Sequence, residues 1–416
     1  EKPLHAPTDQ FPVRGNELLV GGIPLTRLAA RVGQTPFYAY DRALLTRRVA
    51  ELRAALPAGI KLHYAMKANP MPAVVGRCSA TLVGHMAGLV DGIDVASGLE
   101  LNVALDSGAD PREISFAGPG KSDEELKKAV AAGILINIES FREVGVLATI
   151  QQQTGWTARV AVRVNPDFEL KSSGMKMGGG PKQFGVDAEQ VPELLAEIGK
   201  AGLDFEGFHL FAGSQNLRPE SIIEAQRKCF DLALRLAEAA PGPVKFLNLG
   251  GGFGIPYFPG ERRLELGGIC ANLATIQEDA RHKMPEAEIV IELGRYFVGE
   301  AGIYVCQVVD RKISRGHTYL VTNGGLHHHL SASGNFGQVI RKNYPVAIGN
   351  RMDAPAGEAV SVVAVSLKQI DILGDRMNLP EAKPGDLVVV FQSGAYGASA
   401  SPRAFLSHPD LVEVLV

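Results

Sequence analysis

Between residues 36 and 294 short apolar runs alternate with amphipathic stretches. Leu62, Tyr64 and Met66 alternate with His63, Ala65 and Lys67, the period of two that marks a strand, and Asn69-Pro70 stops the run. Before it, Asp41 caps a helix whose apolar positions Leu45, Val49, Leu52 and Leu56 step by four and three until Pro57 ends it. Strands are expected at 61–67, 92–97, 114–118, 134–139, 158–164, 205–211, 246–250 and 288–293, with helical or turn-rich segments between them. Eight strands alternating with helices predict an α/β fold, a (β/α)8 TIM barrel over 36–294, with an open doubly wound sheet as the alternative. Residues 1–35 read as short strand pieces such as Glu17 to Ile23. Beyond 295 the helical period fades, and Gly302–Val309, Tyr319–Thr322, Val360–Val365 and Asp386–Phe391 read as a second, β-rich domain.

Composition narrows the class. The 416 residues are 46% hydrophobic, and 42 basic against 45 acidic side chains leave a formal charge of −3. Without a long basic run, nucleic acid is not an expected partner. No apolar stretch of about 18 residues stands out, and no charged start precedes an apolar block. Neither a membrane span nor a secretory signal is expected, and a cytoplasmic location is. Cys78, Cys229, Cys270 and Cys306 are too scattered for a zinc site or a disulfide framework. Cys229 falls on the stripe Ala225, Cys229, Leu232, Leu236 and reads as a packed hydrophobe.

Candidate chemistry gathers at strand ends. Alone, Lys67 is a solvated charge at the end of its strand. In a barrel it shares the carboxyl-end rim with Ser214 after strand six, the Gly250-Gly251-Gly252 run after strand seven, and Glu292 and Arg295 after strand eight. Arginine, a hydroxyl and bare backbone amides suit a phosphate, a carboxylate suits a ring nitrogen that must stay protonated, and a lysine suits a Schiff base. Those are the needs of pyridoxal 5'-phosphate. Asp94 and Glu100 crowd the same rim, where Ser97 is either a helix cap or a site member. His209 is either a hydrogen-bonded strand residue or, with Lys67, part of the catalytic set. His327-His328-His329 raises a metal ligand set, but neighbours on a strand face opposite ways, so no metal is expected.

The ordered motifs YAMKANP, DVAS, FAGPGK, RVNPDF, FAGSQNL, NLGGGFGIPYF, ELGRY, GGLHHHL and FQSGAYGASASP resemble those of the fold-type III pyridoxal phosphate decarboxylases, the alanine-racemase-like barrels that include ornithine and diaminopimelate decarboxylases. The likeness is nearest to the exosortase A system-associated branch, which also resembles an enzyme decarboxylating glutamate carried on an acyl carrier protein. It implies the cofactor on Lys67, phosphate contacts from Ser214, Gly251, Gly252, Arg295 and Tyr396, and a pyridine-nitrogen contact from Glu292, while Asp94 and His209 join the expected cofactor site from their places in the barrel. It further implies an amino-acid substrate, free or carrier-bound, and a homodimer in which residues 1–35 and 295–416 complete the partner's site.

Three departures qualify the resemblance. The histidine that stacks on the cofactor in relatives is Phe211 here, and the family's Glu-Pro-Gly-Arg reads Glu292-Leu293-Gly294-Arg295. The third touches the chemistry. The family's cysteine acid falls on Leu367, with the register set by Asp371, and leucine carries no proton to deliver. Lys368 or Ser366 is the nearest substitute. The expectation is therefore a decarboxylase impaired in its final protonation. The alternatives are a racemase on the same barrel and a catalytically silent relative that binds cofactor. Arg341, Lys342 and Arg403, with the loop 171–185, offer charge for a distal acid group or carrier arm, or are solvated surface.

Overall fold

The computed structural model describes residues 3–71, 81–168, 175–176, 180–211, 213–333, 342–366 and 370–416. Cys78, Arg341, Leu367, Lys368 and, in the loop 171–185, residues 171–174 and 177–179 lie outside the described residues. The chain divides into two compact units, one of residues 49–254 and 264–294, the other of residues 1–48, 255–263 and 295–416.

The first unit is a closed barrel of eight parallel strands: β1 Lys61–Ala65, β2 Gly92–Val95, β3 Ile114–Phe116, β4 Leu135–Ile138, β5 Arg159–Asn165, β6 Asp204–Leu210, β7 Phe246–Gly251 and β8 Glu288–Leu293. Each pairs with the next, and β8 returns to β1 through Val290–Lys61 to Leu293–Tyr64, so the open-sheet alternative does not hold. Outward positions Leu62, Tyr64, Ile93, Ile136 and Val162 are fully buried beneath the helices, which accounts for the apolar runs in the sequence. Inside, Leu135, Ala161, Phe246 and Val290 form an apolar layer. Above it the interior is polar: His63, Asp94, Ser115, Asn137, Arg163, His209, Asn248 and Glu292 are all buried. Burying so many polar groups is costly unless they satisfy one another, and that requirement builds the site.

The second unit is β-rich. Gly302–Ser314 is its longest strand, paired with His317–Thr322, Leu387–Val390 and Phe37–Tyr40. Phe37–Tyr40 thus pairs in this unit, although the barrel was expected to begin at 36. Residues 1–35 are also not all strand: Leu25–Val32 is a helix, closed by Gly33 in the left-handed conformation at φ 82°. Among the described residues no helix is long and apolar enough to cross a membrane.

Candidate active site

Strand β1 ends at Ala65, and Lys67 sits in the single 3-10 turn Met66–Ala68 rather than on the strand. That turn leaves Lys67 exposed while both its neighbours are buried. Its Nζ lies 5.8 Å from the centroid of the Phe211 ring. Gly294 reserves the space behind it, because a Cβ there would stand 2.8 Å from Ala68 Cβ and 3.0 Å from Ala65 O.

Glu292 is the electrostatic centre of the barrel. Its Oε2 lies 3.0 Å from His209 Nε2 and accepts a hydrogen bond of 3.2 Å from Asn248 Nδ2. Burial opposes its charge, yet His209 beside it, with Lys67 and Arg163 further off, holds the carboxyl well below the usual carboxylate range. Glu292 is therefore an ionised acceptor in a dry interior. Asn248 is itself fixed, since its Oδ1 accepts from Gly250 N at 2.8 Å.

Asp94 forms a second centre. Its Oδ1 lies 2.9 Å from His63 Nδ1 and accepts from Ser115 Oγ at 2.6 Å, and Asn137 Nδ2 donates to that hydroxyl at 3.2 Å. Burial pushes His63 down, but the charge and hydrogen bond of Asp94 outweigh it and leave the imidazole raised. Ser97 turns out to be a cap, accepting from Glu100 N at 3.1 Å at the start of Gly98–Asp106. Glu100 accepts from Ala96 N at 2.6 Å, and burial raises its carboxyl.

Ser214 and the glycine run lie in two laced loops. Asn216 N donates to Gly252 O at 2.9 Å and Gly254 N to Asn216 O at 2.8 Å. A Cβ on Gly252 would stand 2.5 Å from Gly213 O, and one on Gly251 2.2 Å from Glu292 O. Only glycine permits this approach, which keeps main-chain N–H groups unshielded as an anion cradle requires. Glu139 braces the neighbouring loops, accepting from Gly118 N at 2.6 Å, Gly185 N at 2.9 Å and Arg163 Nη1 at 3.0 Å.

In the second unit the predicted Arg295 and Tyr396 come together. The Arg295 guanidinium carbon lies 4.6 Å over the Tyr396 ring, and Nη1 donates to Tyr257 Oη at 2.8 Å. Arg403 is bound to Asp410 at 2.6 Å, and Lys342 lies 5.5 Å over the Phe258 ring. The histidine triplet is in a turn, not a strand, so the expected alternation of faces fails: the His327 and His328 rings are 3.9 Å apart. Among the described residues no group of three or more His, Cys, Asp or Glu is placed to hold a metal ion. Cys229 is buried, and burial pushes its thiol up to about 12.

His63, Ser115, Asn137 and Glu139 lie outside the quoted motifs, and Arg163 and Asn248 lie within RVNPDF and NLGGGFGIPYF without having been assigned a role. Their one sequence signal is a polar residue at alternate, inward positions of otherwise apolar strands, as in Asn137 and Glu139 after Leu135. Orphaned buried atoms remain in the barrel: Asp94 Oδ2 and His209 Nδ1 have no hydrogen-bond partner among the described residues. An ionised acceptor, unpartnered polar atoms and a glycine cradle fit a protonated heteroaromatic ring that carries a phosphate.

An exposed lysine at the carboxyl-end rim of a (β/α)8 barrel, beside a buried ionised glutamate, defines a pyridoxal phosphate enzyme by fold and site. The family model for the pyridoxal-dependent decarboxylase, pyridoxal binding domain, matches residues 42–299, and the chain belongs to that family. It is 36% identical over 397 residues to the L-glutamyl-[BtrI acyl-carrier protein] decarboxylase of Niallia circulans, covering 94% of this chain and 90% of the relative. It is 32% identical over 410 residues to the diaminopimelate decarboxylase of Aquifex aeolicus, covering 97% and 91%. The crystal structure of diaminopimelate decarboxylase from Helicobacter pylori complexed with L-lysine superposes with a TM-score of 0.80 at 27% identity, over 94% of each chain.

Proposed function

We propose that this chain removes the α-carboxylate of an amino acid or amino-acid derivative, with pyridoxal phosphate held on Lys67. The observation that carries the reading is Glu292, a buried carboxylate kept ionised by His209 within the same barrel as the exposed Lys67. When bound, pyridoxal phosphate supplies the electron sink for the pair left by departing CO2. Glu292 would keep the proton on the ring nitrogen, and Asn248 and His209 hold that carboxylate in place. Lys67 would hold the cofactor and supply a base at the rim, and Phe211 offers an apolar ring face where relatives have histidine. Ser214, Gly251, Gly252, Arg295 and Tyr396 are the proposed phosphate ligands, with Asp94 and His209 at the ring. The family match favours carboxylate loss over racemisation.

The finer reading is a homodimer in which residues 1–35 and 295–416 of one subunit complete the other's site, acting in the cytoplasm. The Niallia relative, by name, acts on glutamate borne by a carrier, and a carrier-bound aminoacyl group is the proposed substrate class here. Mass spectrometry of free amino acids against aminoacyl-carrier proteins tests it: loss of CO2 from a carrier-bound substrate supports the reading, and loss from neither kind contradicts it. Leu367 at the family's acid position should slow the final protonation, so Leu367→Cys should raise product formation, by up to about 10²-fold. No gain on a turned-over substrate would remove that explanation.

A further inference from the structure

The opposite, N-terminal end of the barrel holds a cavity of about 360 Å³ walled by the first residues of the strands. Its ionic groups are matched: Arg159 pairs with Glu206 at 2.6 Å, and Lys61 with Glu113 at 2.9 Å and Glu288 at 2.7 Å. Arg112, bound to Asp110 at 3.0 Å, and the exposed Lys245 stand at its rim. With its charges paired, this space suits water, on the order of ten molecules at roughly 30 Å³ each.

His63 lines that cavity, and its buried Nε2, in a side chain only 3% exposed, has no hydrogen-bond partner among the described residues. The same ring uses Nδ1 to hold Asp94. Gly92 makes the seat, because a Cβ there would lie 2.5 Å from Nε2 and 2.4 Å from Glu113 O. The strand register pairs His63 with Gly92 and Ala65 with Asp94, so the imidazole spans from the floor of the barrel to the level just beneath Lys67. One histidine thus links the wall of the cavity to the reactive side of the core.

We propose that His63 is a positioning residue that ties the charge of the site to water entering at the N-terminal mouth: Nε2 exchanges its proton with cavity water, and the charged ring holds the Asp94 side chain in place. The inference rests on the reading of Asp94 as part of the cofactor site. The carboxylates facing the ring are Asp94, Glu113 and Glu292, and together they overcome burial to favour its protonated form. Asp94 is therefore best held below the pKa of His63 and less firmly above it.

The test uses the full chain. The Cε1–H signals of the ten histidines are followed from pH 5 to 9 in protein with and without pyridoxal phosphate, and the His63 signal is identified by its loss in His63→Gln. The affinity for pyridoxal phosphate is measured over the same range in both proteins. His63 should titrate above the ordinary imidazole value, and wild-type affinity should fall through that pH by about threefold to tenfold relative to His63→Gln, in which the cofactor's own titrations cancel. A His63 signal that titrates at or below the ordinary value overturns the inference, as does an affinity profile unchanged in a folded His63→Gln. If Lys67→Ala still carries the covalently bound cofactor, the cofactor reading itself fails, independently of His63.

Discussion

The barrel and the β-rich unit each bury histidines, and they treat them in opposite ways. In the barrel His63 and His209 lie 2.9 Å and 3.0 Å from the carboxylates of Asp94 and Glu292. In the β-rich unit His329 meets neutral groups, the Ser393 hydroxyl at 2.8 Å, Ala332 N at 3.3 Å and the Tyr38, Tyr304 and Tyr344 rings, while His328 reaches Pro409 O at 3.1 Å. Burial drives His328 down to about 4, where His327 adds to it and Asp410 only partly offsets it, and drives His329 to about 3 with no charge beside it, so both are neutral. Burial alone therefore does not make a histidine functional. The partner decides whether it is a charge or a piece of packing.

The largest break in that comparison comes from removing a barrel carboxylate. Glu292→Gln should lower CO2 release by about 10²–10³-fold, because the ring-nitrogen proton loses its acceptor and His209 its partner. Loss of less than about tenfold would place the electron-sink chemistry elsewhere.

The next effect is on stability and has opposite signs in the two units. His329 is depressed on folding, so its contribution is present above the unfolded value near 6.5 and is lost as pH falls toward about 3. His63 is raised, so its contribution is present below the unfolded value and is lost as pH rises through the folded one. Denaturation series across pH should show a shallower acid-side loss in His329→Gln and a shallower alkaline-side loss in His63→Gln. Slopes of the same sign in both variants would contradict the contrast.

The smallest effect sharpens it. His327 is fully buried with both ring nitrogens unpartnered among the described residues, so His327→Leu should raise stability by about 1 kcal/mol and leave CO2 release unchanged. A loss of stability would mean that the imidazole makes a polar contact after all.

What the sequence made legible follows the same physics. All eight barrel strands were readable because a period of two between caps and turns is a local property, and Lys67, Ser214, the glycine run and Glu292 stood out as candidates because they lie at strand ends. The role of His209 stayed open until closure of the barrel brought it to Glu292, 83 residues away in sequence by the difference of their numbers. His63, Asn137, Arg163 and Asn248 were not singled out, since a buried polar network exists only once non-neighbouring strands set their register. Local geometry accounts for the remaining errors. Lys67 left the strand for a 3-10 turn, Leu25–Val32 is a short helix beginning after Pro24, and the three histidines follow a turn rather than a pleat.

The central claim is that Lys67 carries the cofactor. Borohydride reduction of protein loaded with pyridoxal phosphate, followed by peptide mapping, tests it without any substrate. The account predicts the reduced cofactor's mass on the peptide that contains Lys67, and its disappearance in Lys67→Ala. Label on a different lysine, or none on a folded and loaded protein, would contradict it.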